Sequence, residues 1–206
     1  MMQTMTPTQA SPKISWSGSP VKYDKPVVGL DRDGVINIDR GSYVWQKSDF
    51  EPIDGSLEAI ARLRQKGHKI AIITNQGGIE KGLYTQEDVD KLHDHLMMLL
   101  GEAGCPSIDA LYYSASSRKN DPWAKPNTGM FKRCEKEHPH IKFSQGFYVG
   151  DKISDLKSAV KINATPILVR TGHGKETEEQ LKKFTYRDLK RKTLIFDDLK
   201  SFVDSL

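Results

Sequence analysis

Cysteine is scarce in this chain. Only Cys105 and Cys134 occur in 206 residues, which excludes a disulfide-stapled scaffold and leaves both as free or buried thiols of an intracellular α/β chain. No uninterrupted apolar stretch approaches ~18 residues, so a membrane span is excluded. The first residues lack the apolar core of a secretory signal, and the chain reads as cytoplasmic. Excess charge of one sign is also missing: with 31 Lys+Arg against 27 Asp+Glu, the formal charge is +4. That balance suits anionic ligands such as phosphate esters. It falls short of a nucleic-acid signature, because the lysines are interspersed with acids along the expected helices. No internal repeat is visible. What remains is a chain of 37% hydrophobic composition, long enough for one domain with a sizeable core.

The organisation follows from composition and periodicity. Residues 1–25 are rich in Ser, Thr, Pro and Lys with few apolar residues, and read as a flexible arm in which Trp16 and Tyr23 are the candidate docking residues. Residues 26–206 form the domain. Apolar runs near 26–31, 69–73, 108–113, 146–149 and 165–169 alternate with helical periodicity, which predicts a five-strand parallel core with crossover helices. Thr85-Gln86-Glu87-Asp88 is the cap and acidic first turn of a helix running to about Glu102. Leu194-Ile195-Phe196 adds a short strand, followed by a closing helix.

The strand ends carry the chemistry. The first apolar run stops at Asp31-Arg32-Asp33-Gly34-Val35-Ile36-Asn37, two carboxylates and a glycine where an open α/β sheet places its ligands. The second ends in Thr74-Asn75-Gln76-Gly77-Gly78, a hydroxyl and an amide before a glycine pair. Lys125-Pro126-Asn127-Thr128-Gly129-Met130 puts one lysine beside a turn and a helix start, and Val149-Gly150-Asp151-Lys152-Ile153-Ser154-Asp155 closes the fourth strand. Phosphoryl transfer asks for this set, because the protein must position an in-line phosphoryl group and neutralise its charge. A carboxylate with an ordinary pKa of about 3.9 is already ionised at neutral pH and needs no separate base to act as nucleophile.

In this order the four motifs resemble those of the haloacid dehalogenase (HAD) superfamily, over residues 26 to about 174. Within it they are similar to the D-glycero-D-manno-heptose 1,7-bisphosphate phosphatases and their relatives, the histidinol-phosphate phosphatases. The resemblance implies a Rossmann-like fold with a central parallel sheet flanked by helices. The spacing between motifs leaves no room for a separate cap domain. It further implies Asp31 as nucleophile, Asp33 as general acid and base, and Thr74, Asn75, Lys125 and Lys152 as substrate contacts. Mg2+ would be held by the Asp31 carboxylate, the Asp33 backbone carbonyl and Asp151. Asp155 either holds a metal-bound water or caps the following helix. Arg40, Tyr43 and Trp45, in the loop of residues 37–54, lie where they either shape substrate access or simply connect strand to helix.

Two departures from the family pattern stand out. The heptose bisphosphate branch carries a zinc loop of Cys-x-His and Cys-x-Cys pairs before the Lys-Pro motif. Here the segment reads Ser114-Ala115-Ser116-Ser117-Arg118-Lys119-Asn120-Asp121-Pro122-Trp123, so no zinc is expected and the loop should hold through Pro122 and Trp123 packing or through shortening. The arginine usual before the motif lysine is Ala124, with Arg118 or Lys119 as candidate substitutes. The substrate is expected to be a small phosphorylated molecule, a sugar phosphate first. A polynucleotide 3′-phosphatase, a histidinol-phosphate phosphatase and a non-catalytic binding protein on the same fold stay open as alternatives. His93, His95, His138 and His140 are not expected to bind metal.

Overall fold

Residues 27–30 alternate between two apolar environments, as a strand buried on both faces must. Val28 and Leu30 join one cluster, and Val27 joins the other. Ile70 and Ile72 against Ala71 and Ile73, and Leu111 and Tyr113 against Ala110 and Tyr112, repeat the pattern in the next two strands. The computed structural model describes residues 24–118 and 120–206, with the backbone of Thr8 and Gln9. The elements are β1 (Thr8–Gln9), β2 (Lys25–Leu30), α1 (Ser56–Gln65), β3 (His68–Asn75), α2 (Gln86–Glu102), β4 (Ala110–Ser114), α3 (Gly129–Glu137), β5 (Phe147–Gly150), α4 (Ile153–Lys161), β6 (Thr165–Val169), α5 (Gly174–Leu181), α6 (Arg187–Lys192), β7 (Leu194–Phe196) and α7 (Leu199–Asp204).

The sheet order is β1-β4-β3-β2-β5-β6-β7. From β4 to β7 every pairing is parallel, and only β1 runs antiparallel, along β4. The parallel core therefore has six strands rather than the expected five, because β7 pairs with β6 through Leu194, Ile195 and Phe196. Helices cover both faces. Residues of α1, α2 and α7 pack on one, and those of α3 and α4 on the other. The chain between β2 and β3 holds a loop, a short 3-10 turn and α1, with no inserted domain. Apart from Thr8, Gln9, Asp24 and Lys25, the expected arm, with Trp16 and Tyr23, lies outside the described residues, as does Lys119.

The predicted start of α2 is accurate in detail. Thr85 accepts the Asp88 N–H at 3.2 Å while the Asp88 carboxylate accepts the Thr85 N–H at 2.9 Å, a reciprocal cap that satisfies two end groups. Two helices in the Lys- and Glu-rich tail, α5 and α6, carried too little apolar periodicity to be foreseen. Leu181 anchors α5 against Leu156 and Leu168.

The strand order reverses direction at β2, with β3 on one side and β5 on the other. Brought there, the carboxyl ends of β2, β3 and β5 open a crevice in which ligands of doubly wound sheets bind.

Candidate active site

Asp31 follows the last residue of β2, and its N–H is held by the Val149 carbonyl of β5 at 2.9 Å. Its side chain is buried, 7% exposed. The Lys125 ammonium, 1% exposed at the side chain, lies 2.8 Å from Asp31 Oδ1 and 2.8 Å from Asp155 Oδ1. It also donates to the Ile73 carbonyl at 3.0 Å and the Tyr148 hydroxyl at 2.9 Å. Burial works against the charged lysine, but Asp155 and Asp31 outweigh it and hold the ammonium well above its ordinary pKa. Lys125 is thus a fixed positive charge. Asn75 fixes its backbone: the side-chain amide donates to the Lys125 carbonyl at 3.1 Å and its oxygen accepts the Lys125 N–H at 2.9 Å. Both polar ends of Asn75 are engaged there, although the residue also borders the pocket described below.

Asp151 and Asp155 come from the end of β5 and the first turn of α4. One oxygen each from Asp31, Asp151 and Asp155 lie within 4.8 Å of one another. Burial first, then the neighbouring carboxylates, pushes Asp151 up to about 8 against the pull of Lys152. Asp155 is raised too, by burial ahead of Asp31 repulsion. Asp151 Oδ2 accepts the His173 N–H at 2.9 Å, whereas its buried Oδ1 accepts no hydrogen bond among the described residues. Three gathered carboxylates, one of them with an oxygen that accepts no hydrogen bond, are a donor set for a hard divalent cation. Among the described residues this is the one such cluster of His, Cys, Asp or Glu. Asp155 does cap α4, with Oδ2 accepting the Lys152 N–H at 3.0 Å, and it also belongs to the carboxylate cluster. Glycine is required beside Asp151: Gly34 (φ 83°) and Gly172 (φ 54°) adopt left-handed conformations, and a Cβ on either would run into the Asp151 carboxylate.

Asp33 is not part of that cluster. Arg32 grips it from Nε to Oδ1 at 3.1 Å and from Nη2 to Oδ2 at 3.0 Å. Asn37 Nδ2 donates to Oδ1 at 3.0 Å, and Gln76 Nε2 donates to Oδ2 at 2.9 Å. The Arg32 side chain is itself wholly buried, donating to the Val44 carbonyl at 2.7 Å and lying 3.2 Å from His93 Nε2. Burial and the arginine charge hold the His93 imidazole well below its ordinary pKa, so it stays neutral. Gln76 also donates to Thr74 Oγ1 at 3.2 Å and accepts from the Tyr84 hydroxyl at 3.0 Å. Arg32, Asn37, Gln76 and Tyr148 were given no role from the sequence, and His93 was weighed there only as a metal ligand. The Asp-x-Asp spacing gave no sign that its middle residue turns back onto the second Asp.

The loop before Lys125 holds together differently from the packing expected of it. Glu80 accepts from the Ser117 N–H at 2.7 Å, the Ser117 hydroxyl at 2.9 Å and the Ser116 hydroxyl at 3.2 Å, and pairs with Arg118 at 2.8 Å. One carboxylate hub, rather than Pro122 and Trp123 alone, therefore gathers this segment. Pro122 contributes through its carbonyl, which accepts the Gly129 N–H at 2.9 Å as α3 begins. Arg118, a candidate for substrate contact, is occupied by Glu80 and by Asp121 at 3.6 Å.

Over the crevice lies an open pocket of about 280 Å3. Asp33 and Asn75 border it, along with Asp39, Tyr43, Lys152 and His173. Of the loop residues noted in the sequence, Tyr43 lines this pocket and Trp45 stacks on Tyr84 with ring centroids 6.1 Å apart. Arg40 is exposed and pairs with Glu51 away from it. Cys105 and Cys134 are buried free thiols. No helix among the described residues is long and apolar enough to cross a membrane.

Comparison with known proteins agrees with this geometry. Residues 26–190 match the family profile described as polynucleotide kinase 3 phosphatase. The chain is 36% identical over 177 residues to D-glycero-beta-D-manno-heptose-1,7-bisphosphate 7-phosphatase of Pseudomonas putida, an alignment covering 86% of this chain and 97% of that protein. For the Pseudomonas aeruginosa protein of the same name, the identity is 37% over 177 residues, covering 86% and 95%. Among solved structures, D,D-heptose 1,7-bisphosphate phosphatase from B. bronchiseptica, complexed with magnesium and phosphate, superposes with a TM-score of 0.79 at 28% identity, covering 88% of this chain and 97% of that one. A buried carboxylate cluster at the end of β2, a captive lysine beside it and these relatives lead to one conclusion: the chain belongs to the polynucleotide kinase 3 phosphatase family, among the phosphoric monoester hydrolases of the haloacid dehalogenase superfamily.

Proposed function

We propose that this chain is an Mg2+-dependent phosphatase that hydrolyses a phosphomonoester of a sugar, D-glycero-D-manno-heptose 1,7-bisphosphate, through an aspartyl-phosphate on Asp31. The observation that carries the reading is the Asp31–Lys125 pair at 2.8 Å, buried at the end of β2 beside Asp151. The names of the relatives support the substrate.

Asp31 is the nucleophile. Its contacts to Lys125 and to the Arg32 N–H (2.8 Å) both fall on Oδ1, which leaves Oδ2 as the attacking atom. Lys125 holds positive charge against the nucleophile and the arriving phosphoryl oxygens, and the Thr74 hydroxyl donates to one of those oxygens. Asp33, 20% exposed at its side chain, borders the pocket. It protonates the leaving alkoxide, and then takes a proton from the water that hydrolyses the aspartyl-phosphate. Its clamp by Arg32, Asn37 and Gln76 fixes the direction of both transfers.

Asp31, Asp151 and the Asp33 backbone carbonyl would hold the Mg2+, with Asp155 behind them. When bound, the ion offsets the charge that otherwise keeps two anions apart. We assign no zinc, since residues 114–123 carry neither cysteine nor histidine to ligate it.

The test is a phosphatase screen in Mg2+ across sugar phosphates, histidinol phosphate and a 3′-phosphorylated oligonucleotide, with Asp31→Asn as control. Release of phosphate from the heptose bisphosphate, lost in the variant, supports the proposal. No hydrolysis of any phosphomonoester, or equal hydrolysis by the variant, overturns it. The description of the matching family favours the oligonucleotide as a second reading. Preference for that substrate, falling steeply with salt, would move the assignment there.

A further inference from the structure

The chain's positive charge is concentrated in one place. Residues 182–192 carry Lys182, Lys183, Arg187, Lys190, Arg191 and Lys192 against the single acid Asp188, a net +5 where the whole chain has +4. The rest of the molecule is thus close to neutral, and this short stretch dominates its field. All six cations are exposed, and among the described residues only Lys182 of the six is ion-paired, with Glu179 at 2.6 Å. Lys157 and Lys161 of α4 border the groove beside Tyr186, Leu189 and Lys192, and so widen the basic face.

One apolar side chain stands out of that face. Phe184 is 85% exposed, the highest value of any large hydrophobic side chain among the described residues. Lack of core space beneath is not the reason. Leu181 is buried there with Leu156 and Leu168, and Tyr186 and Leu189 pack against the same cluster. The turn at Phe184–Tyr186 is pinned from below, with the Tyr186 N–H on the Lys183 carbonyl at 2.9 Å, while the phenyl ring faces water. In sequence it is flanked by Lys182 and Lys183 on one side and by Arg187 on the other.

We propose that the Phe184 turn and the cations around it form a docking site for an anionic phospholipid surface, with the ring entering the headgroup layer and the lysines and arginines meeting lipid phosphates. Cations gathered within a Debye length of an anionic bilayer are attracted together, and a single apolar anchor adds the hold that charge alone does not give. A nucleic-acid strand fits this face less well. Successive bases need successive free aromatic faces, and Lys157 Nζ already sits over the Tyr186 ring, 5.1 Å from its centroid. One bare ring on a short turn suits a soft interface that offers it no preformed partner. None of the residues bordering the pocket over the crevice belongs to this stretch, so it can be altered without touching the catalytic machinery.

The test is cosedimentation of the full-length protein with vesicles of phosphatidylcholine alone and of phosphatidylcholine with about one-third phosphatidylglycerol, at low and at high salt. The protein is expected to pellet with the anionic vesicles only, and to be released by salt. Phe184→Ser, at so exposed a position, should melt with the wild type and weaken vesicle binding about tenfold. Lys183→Glu combined with Arg187→Glu should weaken it at least about a hundredfold. Equal binding to both kinds of vesicle, no binding to the anionic ones, or binding untouched by Phe184→Ser overturns the proposal. So does a single-stranded oligonucleotide that binds more tightly than the anionic vesicles and loses affinity in the same variants, which would assign the face to nucleic acid.

Discussion

Replacing Asp151 by Asn should abolish turnover and yet make the metal-free protein more stable. Three carboxylates share a dry space, and Asp151 is pushed up to about 8 from an ordinary 3.8. The sign follows from proton linkage. Between those two values the folded chain keeps a proton that the unfolded chain releases, so stability falls as pH rises. Each unit is worth about 1.4 kcal/mol, which makes the penalty about 3 kcal/mol at pH 6 and nearly twice that at pH 8. Asn removes the ionisation but keeps an oxygen to accept the His173 N–H. In EDTA the variant should therefore melt above the wild type by about 6–12 °C at pH 6, given about 2–4 °C per kcal/mol for a chain of this size. The gap should widen from pH 5 to pH 8. In millimolar Mg2+ the wild type should regain ground that the variant does not, since binding to the folded state alone adds stability by mass action. Thermal melts at a series of pH values, with and without Mg2+, provide the assay. A variant that melts at or below the wild type in EDTA, or a gap that ignores pH, would refute the reasoning.

Further consequences can be measured with equal directness. Lys125→Met leaves Asp31 and Asp155 buried without their cation, and should cost about 3–5 kcal/mol in urea unfolding along with nearly all activity. Glu80→Ala frees Ser116, Ser117 and Arg118 at once, so hydrogen exchange should quicken across residues 114–123 and leave α1 unchanged; uniform protection would deny Glu80 its hub role. Arg32→Lys cannot reproduce the forked grip on Asp33, and should lower kcat by at least about tenfold with KM little altered. Phe202, 1% exposed and 5.4 Å from the ring centroids of both Phe147 and Phe196, should cost about 3–5 kcal/mol when cut to Ala, in one cooperative transition; two separate transitions would show that the C-terminal segment unfolds by itself.

The sequence told most where local chemistry and sheet periodicity coincide. A strand buried on both faces must be an apolar run, and in a parallel sheet its end must face the crevice, so Asp31, Thr74 and Asp151 could be placed from spacing alone. Lys125 was legible as a motif, but its total burial was not, because Tyr148 and the Ile73 carbonyl reach it from strands distant in the chain. The clamp on Asp33 was hidden for a related reason. Arg32 is its sequence neighbour, yet the partners that bury Arg32 come from α2 and the loop at Val44. Glu80 looked like any acid in a glycine-rich loop. Only the tertiary structure brings it to the serines, and hydrogen bonds between distant polar residues leave no periodic trace. The short strand at Leu194-Ile195-Phe196 was expected, but its place as the sixth parallel strand was not, because three residues carry no sign of which neighbour they pair with.

That short strand also bears on how the molecule behaves in a crowded solution. Among the described residues, Leu194–Phe196 ends the sheet with very few free backbone donors and acceptors, one residue after Lys190, Arg191 and Lys192. An incoming chain would find almost no ladder to extend and a positive charge barring the way. Behind it lies β6, whose residues 167–169 are wholly buried and apolar. Among the described residues β7 therefore covers the edge of β6, and a chain cut before Leu194 should expose that edge and aggregate more readily than the intact one, which light scattering would read.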